Sequence, residues 1–159
     1  MVADTELAWL AGIYDGEGSV GLASQKGVLS PAVQLSMTHA PTIRRAQKIM
    51  RTIGLNAVTH AYQEKQPWQR PAHHVRIGRM ADADLLARTL LPFAITKREQ
   101  WKVLARFTGS RLKGRELDSQ GRLRRGTDAQ GRFRAIPYTV AERRCYDRLR
   151  DLNRRACVP

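Results

Sequence analysis

Leu7, Leu10 and Ile13 recur at helical spacing near the start of the chain, with Asp4 or Thr5 placed to cap a helix there. Ala8, Gly12 and Gly16 fall four residues apart on one side of that helix, a face of small side chains that another backbone can approach closely. Gly16 and Gly18 allow a sharp turn into an alternating strand over 19–24, and 25–30 with Gly27 reads as a hairpin tip. Over 32–38, Val33, Leu35 and Met37 share one face while Gln34, Ser36 and Thr38 share the other. Pro41 opens a second helix whose stripe is Ile43, Ala46, Gln47, Ile49, Met50 and Ile53, ended by Gly54. Strands are expected over 57–63 and 73–79, then helices over 82–91 and 96–107 separated at Pro92.

The order helix, hairpin, helix, hairpin, helix, helix predicts an α+β domain in which one face of an antiparallel sheet packs on helices. Residues 110–136 break the pattern, with four glycines and seven arginines against three acids, and are expected to form a basic loop. The pieces Gly-Arg-Leu-Arg-Arg-Gly and Gly-Arg-Phe-Arg within it could pair as a small hairpin. Residues 138–157 read as an amphipathic helix with Val140, Cys145, Tyr146, Leu149 and Leu152 inward. The division is therefore a core over 1–109, a basic loop over 110–136 and a C-terminal helix over 137–159 packed on the core, a single domain overall.

A chain of 159 residues can bury a core without staples, and its net charge of +14 implies a polyanionic partner. Nucleic acid is preferred over a membrane, because no apolar run approaches a membrane span. The excess of Arg over Lys suits phosphate and guanine contacts, although a GC-rich genome accounts for most such bias. Cys145 and Cys157 are too few for a disulfide framework or a zinc site. They are expected to be reduced thiols in an intracellular compartment, such as a bacterial or phage-infected cytoplasm or an organelle matrix.

The stretch Leu10-Ala11-Gly12-Ile13-Tyr14-Asp15-Gly16-Glu17-Gly18 carries the chemistry. A carboxylate fixed at the tip of a closely packing helix is half of a hard-cation site, and a twin helix could bring the other half. An isolated Asp-Gly-Glu-Gly would read as a helix end with Glu17 in solvent. Nine consecutive positions, however, resemble the signature of the LAGLIDADG homing endonucleases, and the resemblance extends over roughly 5–107. It implies the fold of that family, an αββαββα core with a saddle-shaped antiparallel sheet, here with an extra C-terminal helix. Because no second copy of the motif occurs, it implies the single-motif branch, a homodimer joined through helices bearing Ala8, Ala11, Gly12 and Asp15. The implied activity is Mg²⁺-dependent hydrolysis of double-stranded DNA at a pseudo-palindromic site, leaving short 3′ overhangs, in the service of intron or intein mobility.

The same resemblance assigns roles. Glu17, with the Gly16 carbonyl, is expected to bind metal, and Asp15 matches an earlier acid near the helix end. Lys97, in Leu91-Pro92-Phe93-Ala94-Ile95-Thr96-Lys97, matches the catalytic-site lysine, and a lysine there can stabilise charge developing on phosphate. His39, or Thr38 if the alignment slips by one, occupies the polar position that orients water. Arg44 or Arg45 could reach a phosphate. Alternation puts Gly21, Ala23, Gln25, Gln34, Ser36, Thr38, Thr59, Gln63, His74 and Arg76 on the DNA side, with Lys26, Lys65, Gln69 and Arg70 at the hairpin tips. The main alternative is a catalytically silent nucleic-acid binder of the same fold, an intron RNA maturase or a transcription regulator. An arginine-rich nucleoprotein without a defined site would account for the charge but not for the helix.

Overall fold

The computed structural model describes residues 2–62, 71–113, 115, 126–127, 133–134 and 136–155. Helix α1 (Asp4–Glu17) leads into strands β1 (Gly18–Gln25) and β2 (Val28–Met37), then α2 (Ala40–Thr52), β3 (Val58–Tyr62), β4 (Ala72–Ile77), α3 (Met80–Leu90) and α4 (Arg98–Leu112). Two-residue strands β5 (Gly126–Thr127) and β6 (Phe133–Arg134) pair before α5 (Val140–Arg155). The four long strands form one antiparallel sheet in the order β1-β2-β4-β3.

Alternation decides which face of this sheet is buried. Val20 pairs with Val33, Leu35 with Val75 and Val33 with Ile77, and all five side chains are buried in the core together with Leu10 and Tyr14 of α1, Ile43 and Met50 of α2, Leu86 and Leu90 of α3, and Trp101 and Leu104 of α4. Each such side chain contributes roughly 1.5–3 kcal/mol by leaving water, so a one-residue slip of any central strand would forfeit several of them at once. The first hairpin closes on two residues, Lys26 and Gly27, both at positive φ, the geometry of a type I′ turn that follows the twist of its strands. Pro31 sits inside β2 at no cost to the ladder, because β4 joins β2 only from Val33 onward.

Several boundaries differ from expectation. Neither Asp4 nor Thr5 caps α1; the helix already includes Asp4, with Ala3 before it and no side-chain cap. Helix α4 runs on to Leu112, so the first residues of the basic segment are helical, because Phe107, Thr108 and Arg111 remain buried against neighbouring elements. Within the basic segment Gly126 pairs with Arg134 and Thr127 with Phe133, while residues 121–125 and 128–132 of the expected hairpin lie outside the described residues.

The C-terminal helix is fastened at both ends. Thr139 and Glu142 form a reciprocal capping box, in which Thr139 N–H donates to Glu142 Oε2 at 2.9 Å and Glu142 N–H to Thr139 Oγ1 at 3.1 Å. Glu142 also accepts from Ser110 Oγ at 3.0 Å and pairs with Arg111 at 3.4 Å, both charged side chains being buried. Burial pushes the Glu142 carboxyl up, yet the Thr139 amide, the Ser110 hydroxyl and Arg111 together outweigh it and hold it below its ordinary value. Tyr138 Oη meets both the N–H (2.7 Å) and the carbonyl (3.3 Å) of Leu29 on the stretch of β2 that β4 does not reach. At the other end, Asn153 Nδ2 donates to Val20 O at 3.1 Å, so α5 covers the free edge of β1. The capping-box spacing Thr-Val-Ala-Glu is visible in the sequence; its partners on α4 are not.

Candidate active site and nucleic-acid interface

The tip of α1 is where the chemistry converges. Gly18 follows the helix so tightly that a Cβ there would lie 2.2 Å from the Tyr14 ring, so only glycine permits the immediate step into β1. That step leaves Gly16 and Glu17 exposed at the end of the sheet, where Gly18 pairs with Leu35 near the end of β2. Asp15 points elsewhere. Its Oδ2 accepts the N–H groups of Ile95 (2.7 Å) and Thr96 (3.1 Å), and its Oδ1 accepts that of Lys97 (2.9 Å), three amides at the start of α4 that no helix turn satisfies. Lys97 Nζ in turn donates to the Asp15 carbonyl at 2.5 Å. Burial lowers the Lys97 pKa, while the charges of Asp15 and Glu17 act in the opposite sense, which places the Glu17 carboxylate within electrostatic reach of the ammonium.

His39 precedes α2 at the same end of the sheet, exposed, with Nδ1 2.8 Å from Thr42 Oγ1; Thr38 is exposed beside it. Arg44 is exposed on α2, and the Arg45 guanidinium lies 4.2 Å over the Trp9 ring of α1. Among the described residues, no three His, Cys, Asp or Glu side chains converge as a metal-ligand group. At the tip of α1 one chain thus offers the exposed Glu17 carboxylate and the exposed last turn that carries the Gly16 carbonyl.

On α1, Ala8, Gly12 and Gly16 are exposed, and a Cβ on either glycine would meet nothing within 4 Å. Two residues expected at a subunit interface are committed inside the chain instead. Ala11 is fully buried in the core, because it follows Leu10 on the inward side of the helix. The Asp15 carboxylate is occupied by the three amides that lead into α4.

The outward face of the sheet carries Gln25, Gln34, Ser36, His74 and Arg76, with Lys26 at the exposed hairpin tip. Gln34 Nε2 lies 3.1 Å from His74 Nδ1, linking β2 to β4 across this face. Thr59 is not on it. Thr59 pairs with the buried Val75 and its Oγ1 lies 3.5 Å from Gln47 Nε2 of α2, so it faces the helices, and His60, opposite His74, takes the outward position. The phase of β3 is hidden in the sequence because Val58, Thr59, His60 and Ala61 do not alternate in polarity and all are exposed. Gln63, Lys65 and Arg70, with Gln69, lie outside the described residues. No helix among the described residues is long and apolar enough to cross a membrane.

No curated protein sequence matches the chain. Among solved structures, the homing endonuclease I-CvuI in complex with a DNA target is similar over 67% of each chain at 16% identity, with a TM-score of 0.52. The archaeal intron-encoded homing endonuclease I-Vdi141I, complexed with DNA, is similar over 94% of this chain and 98% of its own at 13% identity and a TM-score of 0.53. The group I intron-encoded homing endonuclease I-CeuI, also complexed with DNA, matches 69% of this chain and 56% of its own at 11% identity and a TM-score of 0.54. At these identities the likeness is one of fold. The profile of the LAGLIDADG-like domain matches residues 4–90, more than half of the chain and the whole of the stretch from α1 to α3. With the motif helix, the sheet order and the helices on its inner face all in place, the chain belongs to the LAGLIDADG-like domain family and has the fold of the LAGLIDADG homing endonucleases.

Proposed function

We propose that this protein is a site-specific, divalent-metal-dependent double-strand DNA endonuclease that acts as a homodimer inside a reducing cellular compartment. Its target is a pseudo-palindrome, each copy cuts one strand, and the product carries short 3′ overhangs. The observation that carries the reading is Glu17, exposed at the tip of a helix whose small-residue face is open, with Lys97 tethered beside it. Glu17 and the Gly16 carbonyl are oxygen donors suited to Mg²⁺, and they amount to half a site. A second copy packed along Ala8, Gly12 and Gly16 supplies the other half, since two small-residue faces allow close helix approach. When bound, Mg²⁺ would polarise the scissile phosphate and lower the pKa of an attacking water.

The remaining steps belong to this chain's own groups. Lys97 presents positive charge where negative charge grows on the phosphate, and its position is fixed through the Asp15 carbonyl. His39, held against Thr42 Oγ1, presents an imidazole that can relay a proton to or from water. Gln34, Ser36, His74 and Arg76 present donors and acceptors to base edges in the major groove, and the +14 charge supplies phosphate attraction.

Incubation of the purified chain with a randomised plasmid library in Mg²⁺, and in parallel in Ca²⁺, tests the proposal. A discrete site cut in Mg²⁺ and bound without turnover in Ca²⁺ is expected. Specific binding with no cleavage in any divalent ion would instead mark a silent binder such as a maturase or regulator, and sequence-independent binding would mark a structural nucleoprotein.

A further inference from the structure

Where α5 covers the edge of β1, a cleft of about 410 Å³ is lined by Leu22, Tyr146, Leu149, Arg150, Asn153 and Arg154. Its floor is apolar and its rim carries two exposed guanidiniums. No salt bridge joins Arg150 or Arg154 to a described residue, whereas the two aspartates of the same helix, Asp147 and Asp151, are exposed and do not line the cleft. The location matters more than the charge. Asn153 Nδ2, besides donating to Val20 O, lies 3.2 Å from where a Cβ of Gly21 would stand. Gly21 shares its face of β1 with Ser19, Ala23 and Gln25, so the Asn153 amide reaches round the strand edge to the margin of the outward face. Arg150, one turn before Asn153, and Arg154, one turn after Arg150, both line the cleft beside this margin of the sheet, which faces nucleic acid in the reading above.

We infer that the cleft between α5 and β1 seats a backbone phosphate of duplex DNA just outside the segment that the sheet reads, with Arg150 and Arg154 as its donors and Asn153 as the residue that positions them. Guanidiniums on a preformed ledge bind a phosphodiester with directed, charge-assisted hydrogen bonds, and such contacts set register on the duplex without reading sequence. This role rests on the functional reading above, and it makes the C-terminal helix part of the DNA-binding surface as well as the cover of a strand edge.

The test compares the parent with Arg150→Gln/Arg154→Gln and with Arg143→Gln/Arg144→Gln, an equal loss of charge at exposed positions of α5 that do not line the cleft. Binding to the selected DNA site in Ca²⁺ is measured from low to moderate salt, with hydroxyl-radical footprinting and the thermal midpoint of each protein. For the cleft variant, the slope of log affinity against log salt is expected to fall by about 2, near 0.9 for the one phosphate seated by each of the two copies, with an affinity loss on the order of tenfold and loss of protection at flanking phosphates only. The control variant keeps the parent's slope and footprint. Equal slopes for the two variants, or an unchanged footprint in the cleft variant at parental thermal stability, overturn the inference while leaving the endonuclease reading intact. A parent that binds no specific DNA overturns both.

Discussion

Asp15 and Lys97 hold each other at both ends: the Asp15 carboxylate accepts the Lys97 amide at 2.9 Å, and the Asp15 carbonyl accepts the Lys97 ammonium at 2.5 Å. One residue of the motif helix thereby fixes both the backbone and the side chain of a lysine 82 positions later. Any movement of α1 is transmitted to the charge beside Glu17. The first acid of the motif, Asp15, mounts the Lys97 ammonium, while the second, Glu17, stays exposed.

Asp15→Asn tests this mount. An amide offers one acceptor oxygen where three N–H groups need two, and its NH₂ faces donors. A loss of about 1–2 kcal/mol is expected because the site is partly solvated, together with slower single-turnover cleavage at near-parental DNA affinity. Denaturant titration and rapid-quench cleavage on the same variant measure the two effects.

Glu17→Gln should separate binding from chemistry. The side chain is exposed and makes no structural bond, so stability is expected to stay within about 0.5 kcal/mol of the parent. Removing the carboxylate from the metal site should cost several kcal/mol of barrier, a fall of about three orders of magnitude in cleavage rate, while affinity in Ca²⁺ changes much less. A variant that cuts at the parental rate would remove Glu17 from the mechanism.

The alkaline side of the pH profile reports on Lys97. Burial favours its neutral form, so it loses its proton below the ordinary lysine value of 10.5, and a rate that needs the ammonium falls from that lower pH upward. Lys97→Arg, which stays charged, should flatten this limb even if the absolute rate drops. A limb unchanged by that substitution belongs to another group.

Gly12→Leu addresses assembly. Inside one protomer a Cβ at this exposed position meets nothing within 4 Å, and leucine is the better helix former, so the thermal midpoint is expected to hold or rise. On the open face of α1 the same side chain would keep two helices apart. Sedimentation should then report a monomer, with double-strand cleavage lost; a dimer that still cuts would place the subunit contact elsewhere.

Glu142 sets an acid limit on stability. Its carboxyl is held below its ordinary value in the folded chain, so its contribution is complete above the unfolded value near 4.5 and disappears as pH falls through the folded one. The thermal midpoint should therefore drop in that window, and Glu142→Gln should remove that part of the slope. At neutral pH the same substitution leaves Arg111 buried without its charge partner, an expected loss of about 3–5 kcal/mol.

The first hairpin and the α2 stripe are legible in the sequence because each is amphipathic over a short, local window, and the motif helix because its small-residue spacing and its signature are contiguous. Val33 and Leu35 reach the core where alternation places them, and Gly54, at φ +90°, ends its helix as expected of a glycine. Thr59 lies on the face opposite to the one alternation predicts, because β3 is an edge strand with little alternation and only its register with Val75 sets its phase.

Sequence alone determined the order and approximate extent of the helices and strands and the family signature at the tip of α1, since these depend on neighbours in the chain, and the cationic character of the molecule, which depends on composition. Tertiary structure decided that Asp15 serves Lys97, that Ala11 is core, that Glu142 finds Arg111 and that Asn153 brings α5 to the margin of the sheet. Those pairings join residues tens to more than a hundred positions apart. A hydrogen bond at that separation has no periodicity to betray it, because it exists only once the packed core has brought the two elements together.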